Sequence, residues 1–263
     1  MKEKEVLKPK YAQASIFIII SVIIVGVIAL FLVISSDVIP GIGGSKSQAN
    51  PSAFLDSCLE GKVKEAVKII GEQGGYIEPV FYKEFKFEKE AFPIKISYLC
   101  YTSENYISCI NQEPMLFDNI ENEIKNYLRQ DVENCFTELS SDLEKQGYVV
   151  EAKYRNFDVN LISKKIEIDI NAELILTKAG ETIRKKDFKV VVLSKIYELT
   201  EFAQKIINKE VLDCEFDYIT YMLLYPKFEI DRTLTQDSSI IYTIDHRDVS
   251  ERFRFAIRGC VIP

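Results

Sequence analysis

The chain has no tryptophan and only one histidine, His246, among 263 residues. A single histidine cannot assemble a polyhistidine metal centre. Set in Asp245-His246-Arg247-Asp248, it reads as a solvated turn residue rather than a general base. The sequence also lacks Gly-x-Ser-x-Gly, His-Glu-x-x-His and a phosphate loop. The only Asn-x-Ser/Thr match, Asn50-Pro51-Ser52, is disqualified by its proline, so no N-linked glycan is expected. Internal repeats and low-complexity tracts are missing as well. These absences leave no catalytic constellation, no cofactor motif and no metal motif, and the sequence reads as a non-enzyme.

Charge is missing from one stretch in particular. Residues 14–34, ASIFIIISVIIVGVIALFLVI, carry none. At 1.5 Å per residue they reach about 30 Å, the thickness of a hydrocarbon core. Ile and Val favour strands in water, but a lone segment in lipid must satisfy its own backbone, so a helix is expected. Lys2, Lys4, Lys8 and Lys10 precede the run and no basic residue follows before Lys46. The positive-inside rule therefore predicts a cytoplasmic tail over 1–13, a transmembrane helix over 14–34 and an extracellular remainder. The lipid bilayer is the partner this segment implies. Residues 35–50, rich in Gly, Ser and Pro, read as a flexible linker, and 51–263 as one extracellular domain.

Setting aside the tail's four lysines and two glutamates leaves 29 basic and 38 acidic residues, a net charge of −9. A nucleic-acid partner needs a basic footprint and is excluded. A protein or cell-surface partner is compatible with this balance, which says nothing about oligomeric state.

All six cysteines lie beyond the apolar run, in the compartment where disulfides persist. Fifteen pairings are possible, and free buried thiols are a further alternative. Local pattern favours one set. Cys58 shares a helical stripe with Leu55, Leu59, Ala66, Val67 and Ile70; Cys135 shares one with Ile120, Ile124, Leu128, Val132, Leu139 and Leu143. A Cys58–Cys135 bridge would pin two packed helices. Cys100 and Cys109 flank a turn-like stretch and would close a hairpin, which leaves Cys214 with Cys260.

The rest of the pattern predicts an α+β domain of helices packed on antiparallel sheet. Helices are expected from Pro51 to Ile70, with Asn50 as cap; from Asp118 to Gly147; and from Ile196 to Lys209. Residues 76–101 read as two or three strands interrupted at Pro79 and Pro93. Residues 148–193 have a period of two, with Ile166, Ile168 and Ile170 on one face, a turn over KAGETIRKKD and a partner strand in FKVVVLS. A final hairpin is expected to turn at His246-Arg247-Asp248. Gly71-Glu72-Gln73-Gly74-Gly75-Tyr76 reads as a helix terminator first and a ligand loop second. Arg252, Arg254 and Arg258 alternate with Phe253, Phe255 and Ile257. They form a basic stripe that either grips an anionic partner or pairs with neighbouring Glu and Asp.

Two resemblances add expectations. Lys10-Tyr11-Ala12-Gln13-Ala14-Ser15 before the Ile/Val run resembles the class III signal peptide of archaeal type IV pilin-like proteins. That family is cut before the glutamine, here between Ala12 and Gln13, and its apolar helix enters a filament core. Gln13 and Ser15 match, whereas Phe17 stands where the family places a glutamate used for register in assembly. Over most of its length the chain is similar to archaeal membrane-anchored surface proteins. The similarity rests on the Ile-rich anchor, Ser57-Cys58-Leu59-Glu60, Gly74-Gly75-Tyr76-Ile77 and Phe253-Arg254-Phe255-Ala256-Ile257-Arg258. It implies a single-pass surface protein with no assigned activity. A pilin-like subunit and an extracellular hydrolase with an unrecognised site are the alternatives.

Overall fold

The computed structural model describes residues 20–27 and 50–262. The tail over 1–13, the Ala12–Gln13 junction, both ends of the 14–34 run and the linker up to residue 49 lie outside the described residues. Residues 20–27 are helical and expose Ile20, Val22, Ile23, Ile24, Val25 and Val27. Among the described residues, no helix is long and apolar enough to cross a membrane.

The unit beginning at Asn50 is built from four helices and nine strands. Helix α1, Pro51–Glu72, starts where expected. Proline at its first position needs no amide partner, and Asn50 Oδ1 accepts a hydrogen bond from the Ala53 amide at 3.3 Å. Helix α2, Leu116–Lys145, buries Ile120, Ile124, Leu128, Val132, Cys135, Leu139 and Leu143, the stripe read from the sequence. Asp118 in its first turn and Lys145 in its last complement the helix dipole. The two helices pack on each other and are cross-linked by Cys58–Cys135.

Strands β1 (Tyr82–Phe85) and β2 (Ile94–Tyr101) occupy the segment broken by Pro79 and Pro93, and a two-residue strand β3 (Ile110–Asn111) lies beyond it. A three-stranded antiparallel sheet follows: β4 (Val149–Ile162), β5 (Lys165–Lys178) and β6 (Glu181–Leu193). Ile166, Ile168, Ile170, Leu174 and Leu176 of β5 are buried on one face, where α2 packs on β4 and α1 on β6. On the other face Glu167 lies between Lys165 and Lys189, at 2.5 and 2.7 Å.

The expected turn over KAGETIRKKD is much shorter in the structure. Ala179 and Gly180 both take left-handed backbone, φ +52° and +84°, and close the hairpin in two residues. Residues 181–187 therefore join the strand, where Arg184 and Lys186 reach Glu173 across the ladder at 3.3 and 3.6 Å.

Helix α3, Ile196–Asp213, ends as Cys214 turns left-handed at φ +57°. A short helix α4, Tyr218–Leu224, that the sequence pattern did not announce leads into β7 (Phe228–Leu234), β8 (Ile240–His246) and β9 (Arg252–Arg258). The second sheet runs β1-β2-β9-β8-β7, with β3 also on β2. It is mixed rather than antiparallel, because β2 and β9 run parallel. A parallel pair needs a long crossover, and 150 residues separate these two strands. Phe253, Phe255, Ile257 and Tyr242 are buried, and α3 packs on β8 and β9.

His246 is buried, not solvated. Strand β8 runs on through it, and the alternation puts it on the same face as Tyr242 and Ile244. Its ring stands edge-on to Phe228, and its Nδ1 accepts from the Asp248 amide at 3.2 Å. The turn follows over 247–251.

The three disulfides are Cys58–Cys135, Cys100–Cys109 and Cys214–Cys260, with Cα separations of 6.1, 5.3 and 5.8 Å. This is the set favoured by local pattern, and the separations lie in the usual range. The first spans 77 residues of sequence. On the chain-entropy model, replacing both Cys58 and Cys135 by Ser is expected to cost about 4 kcal/mol, read as a lowered denaturant midpoint under non-reducing conditions. An unchanged midpoint would show that helix packing alone holds α1 on α2.

Candidate site where helix α1 meets strand β9

The last turn of α1 lies directly on the backbone of β9. A Cβ at Gly71 would fall 2.2 Å from the Arg252 carbonyl oxygen, so only glycine fits this approach. Gly74 and Gly75 then take φ +73° and +96°, and the Gln73 carbonyl accepts from the Ser97 amide at 3.1 Å. The glycine loop is thus a terminator that also seals the helix onto β2 and β9.

This contact brings Arg252 and Arg254 to Glu72. Arg254 is 95% buried. Its Nη1 donates to Glu72 Oε2, lies 3.5 Å from Glu90 Oε1, and its guanidinium sits 4.2 Å from the centre of the Phe87 ring. Its Nε is buried without a partner. Arg252 donates from Nε to Asp245 Oδ1 at 2.9 Å, while its Nη1 lies 3.8 Å from Glu72, beyond hydrogen-bond length. Arg258 stands apart and gives its Nη1 to the Thr102 carbonyl at 2.5 Å. The three arginines share one strand face, as the alternation requires, but only two converge. Glu72, which lies near both, belongs to the glycine loop, and no local pattern relates that loop to the arginine stripe.

Burial is the largest influence on Glu72 and raises its pKa above the usual carboxylate value; Arg254 and then Arg252 pull it back without cancelling the rise. A second buried acid, Glu210 on α3, accepts from the Tyr242 hydroxyl. Burial is the largest influence on both and raises them; the Tyr242 hydrogen bond and Arg232 lower Glu210 without cancelling the rise, whereas Glu210 raises Tyr242 further against the opposing Arg232.

Two clefts flank the Arg252–Asp245 pair. One, of about 650 Å³, lies between the C-terminal half of α1, the end of β6 and the β8–β9 turn; Lys68, Val67, Val192, Val249, Glu251 and Arg252 are among its walls. The other, of about 670 Å³, lies under the 85–90 loop, against Asp231 and Thr243. In the first, Glu251 Oε2 accepts from Ser194 Oγ at 2.9 Å and from the Lys195 amide at 2.6 Å. That serine has a carboxylate beside it but no histidine, so it is not an activated nucleophile. Among the described residues, no group of three or more His, Cys, Asp or Glu is placed to hold a metal ion.

No family model matches the chain, and no curated protein is similar to it.

Replacing Arg254 by Gln leaves Glu72 in its half-buried place without its stronger cation. The expected cost at pH 8 is about 3 kcal/mol, read by urea unfolding without reductant. Glu72 then holds a proton more tightly folded than unfolded. That contribution is full below its unfolded value and is lost as the pH rises through the folded one. The deficit should therefore shrink between pH 8 and pH 5; a deficit independent of pH would exclude Glu72 as its source.

Proposed function

We propose that this is a non-enzymatic, single-pass cell-surface protein of the archaeal membrane-anchored type, with its N-terminus cytoplasmic and residues 51–263 outside. On this reading the disulfide-closed ectodomain binds a partner or builds envelope structure. The observation that carries the reading is that all six cysteines are paired in three bridges, which persist in oxidising compartments and rarely elsewhere. The uncharged run over 14–34 and the lysines before it supply the anchor and its direction. The cleft at the end of α1 is the candidate binding site. Its walls on α1, Lys64 to Glu72, lie about 20–30 Å along the helix from Pro51, where the linker joins the domain.

Protease added to intact cells is expected to remove the ectodomain, and thiol alkylation before reduction to label none of the six cysteines. A chain cut only after lysis, or one labelled at six thiols, would overturn the topology. Mass spectrometry of the mature N-terminus tests the filament alternative: an intact tail supports the anchor, and a start at Gln13 would replace it with a pilin-like subunit.

A further inference from the structure

We propose that the 650 Å³ cleft between α1 and the β8–β9 turn binds a small monocarboxylate with an apolar body, gripped by Arg252 and Lys68. The proposal rests on the reading of this domain as a binding module and names the chemistry of its ligand.

The argument begins with which charges at the cleft are already used. Glu72 accepts from Arg254; Asp245 accepts from Arg252; Glu251 accepts from Ser194 and the Lys195 amide. Lys64 is held by Glu60 at 2.5 Å. Two cationic groups keep unused donors, although Arg252 is ion-paired to Asp245 at 2.9 Å and to Glu72 at 3.8 Å. Lys68 has no ion pair or hydrogen bond to any described residue. Arg252 spends only its Nε, so the two terminal nitrogens make no hydrogen bond among the described residues. Asp245 holds the guanidinium at Nε, and the terminal nitrogens, with Glu72 3.8 Å from Nη1, keep their N–H donors for a planar carboxylate. A preorganised cation costs less to engage than a mobile one.

The apolar part of the ligand follows from the walls. Val67 and Val192 are buried side chains that contribute to the cleft, and Val249 lies across from them on the turn. The volume is that of a small-molecule site, and an apolar lining with a few placed polar groups is the usual composition of one. A single negative charge is favoured over a phosphate dianion, because Glu72, Asp245 and Glu251 surround the fork and repel additional charge. A branched aliphatic acid satisfies each requirement: one carboxylate for Arg252 and Lys68, and a short hydrocarbon for the valines.

The test uses the full chain in zwitterionic nanodiscs, titrated calorimetrically with isovalerate and with empty nanodiscs as blank. Saturable binding is expected, with methyl isovalerate and inorganic phosphate at least tenfold weaker. Lys68→Gln changes an exposed, unpaired side chain and does not threaten the fold; it should weaken isovalerate about tenfold, as should Arg252→Gln. Absence of saturable binding, equal binding of the ester, or an unchanged affinity in Lys68→Gln would overturn the proposal. Its failure is separable from that of the surface reading: protease shaving reports topology whatever the titration gives, and isovalerate binding would stand even if the chain proved intracellular.

Discussion

The architecture depends on the approach of α1 to β9 at Gly71. Helix α1 packs on both sheets, touching β6 of the three-stranded sheet and β9 of the mixed one. Its last turn can reach the β9 backbone only because residue 71 has no Cβ. That closeness in turn delivers Glu72 to Arg254, a buried cation whose other carboxylate, Glu90, lies 3.5 Å away. The pair is better understood as a consequence of this packing than as its cause. Buried ion pairs add little net stability, but one partner cannot be removed cheaply once the other is in place.

The disulfides fall where this arrangement is weakest. Cys58–Cys135 holds the α1–α2 hairpin toward its far end, away from the β9 contact. Cys100–Cys109 fastens the two-residue strand β3 to β2, a pairing too short to persist on backbone bonds alone. Cys214–Cys260 joins the end of α3 to the residues that follow β9. Each bridge crosses a boundary between elements, and none lies within one.

Periodicity made the helices legible because their stripes are long and regular: every apolar residue named for α2 is buried. The cysteine pairing was legible for the same reason, since Cys58 and Cys135 sat on faces already assigned to the core. What escaped was set by contacts distant in sequence or by single backbone torsions. Ala179 is a non-glycine residue at positive φ, and nothing in KAGETIRKKD marks it as half of a two-residue turn. The parallel pairing of β2 with β9 joins segments that local pattern cannot relate. His246 was misread because the strand extends through it by one alternation, which turns a solvated side chain into a buried one. At the candidate site the arginine stripe and the glycine loop were each visible, but their meeting was not.

The same meeting explains why two arginines two residues apart differ so much. Arg254 faces the helix end and the 85–90 loop, so carboxylates and an aromatic ring close over it. Arg252 sits at the start of the strand, next to the turn, where Asp245 takes one hydrogen bond, Glu72 lies 3.8 Å off, and the side chain lines the cleft. Alternation gives the two residues the same direction; position along β9 decides that one serves the fold and the other stays available. The domain is acidic overall, so a site for an anion depends on local donors rather than on net charge. Lys68 has no ion pair, and Arg252, though paired, keeps two terminal nitrogens without a hydrogen bond; both line the same cleft.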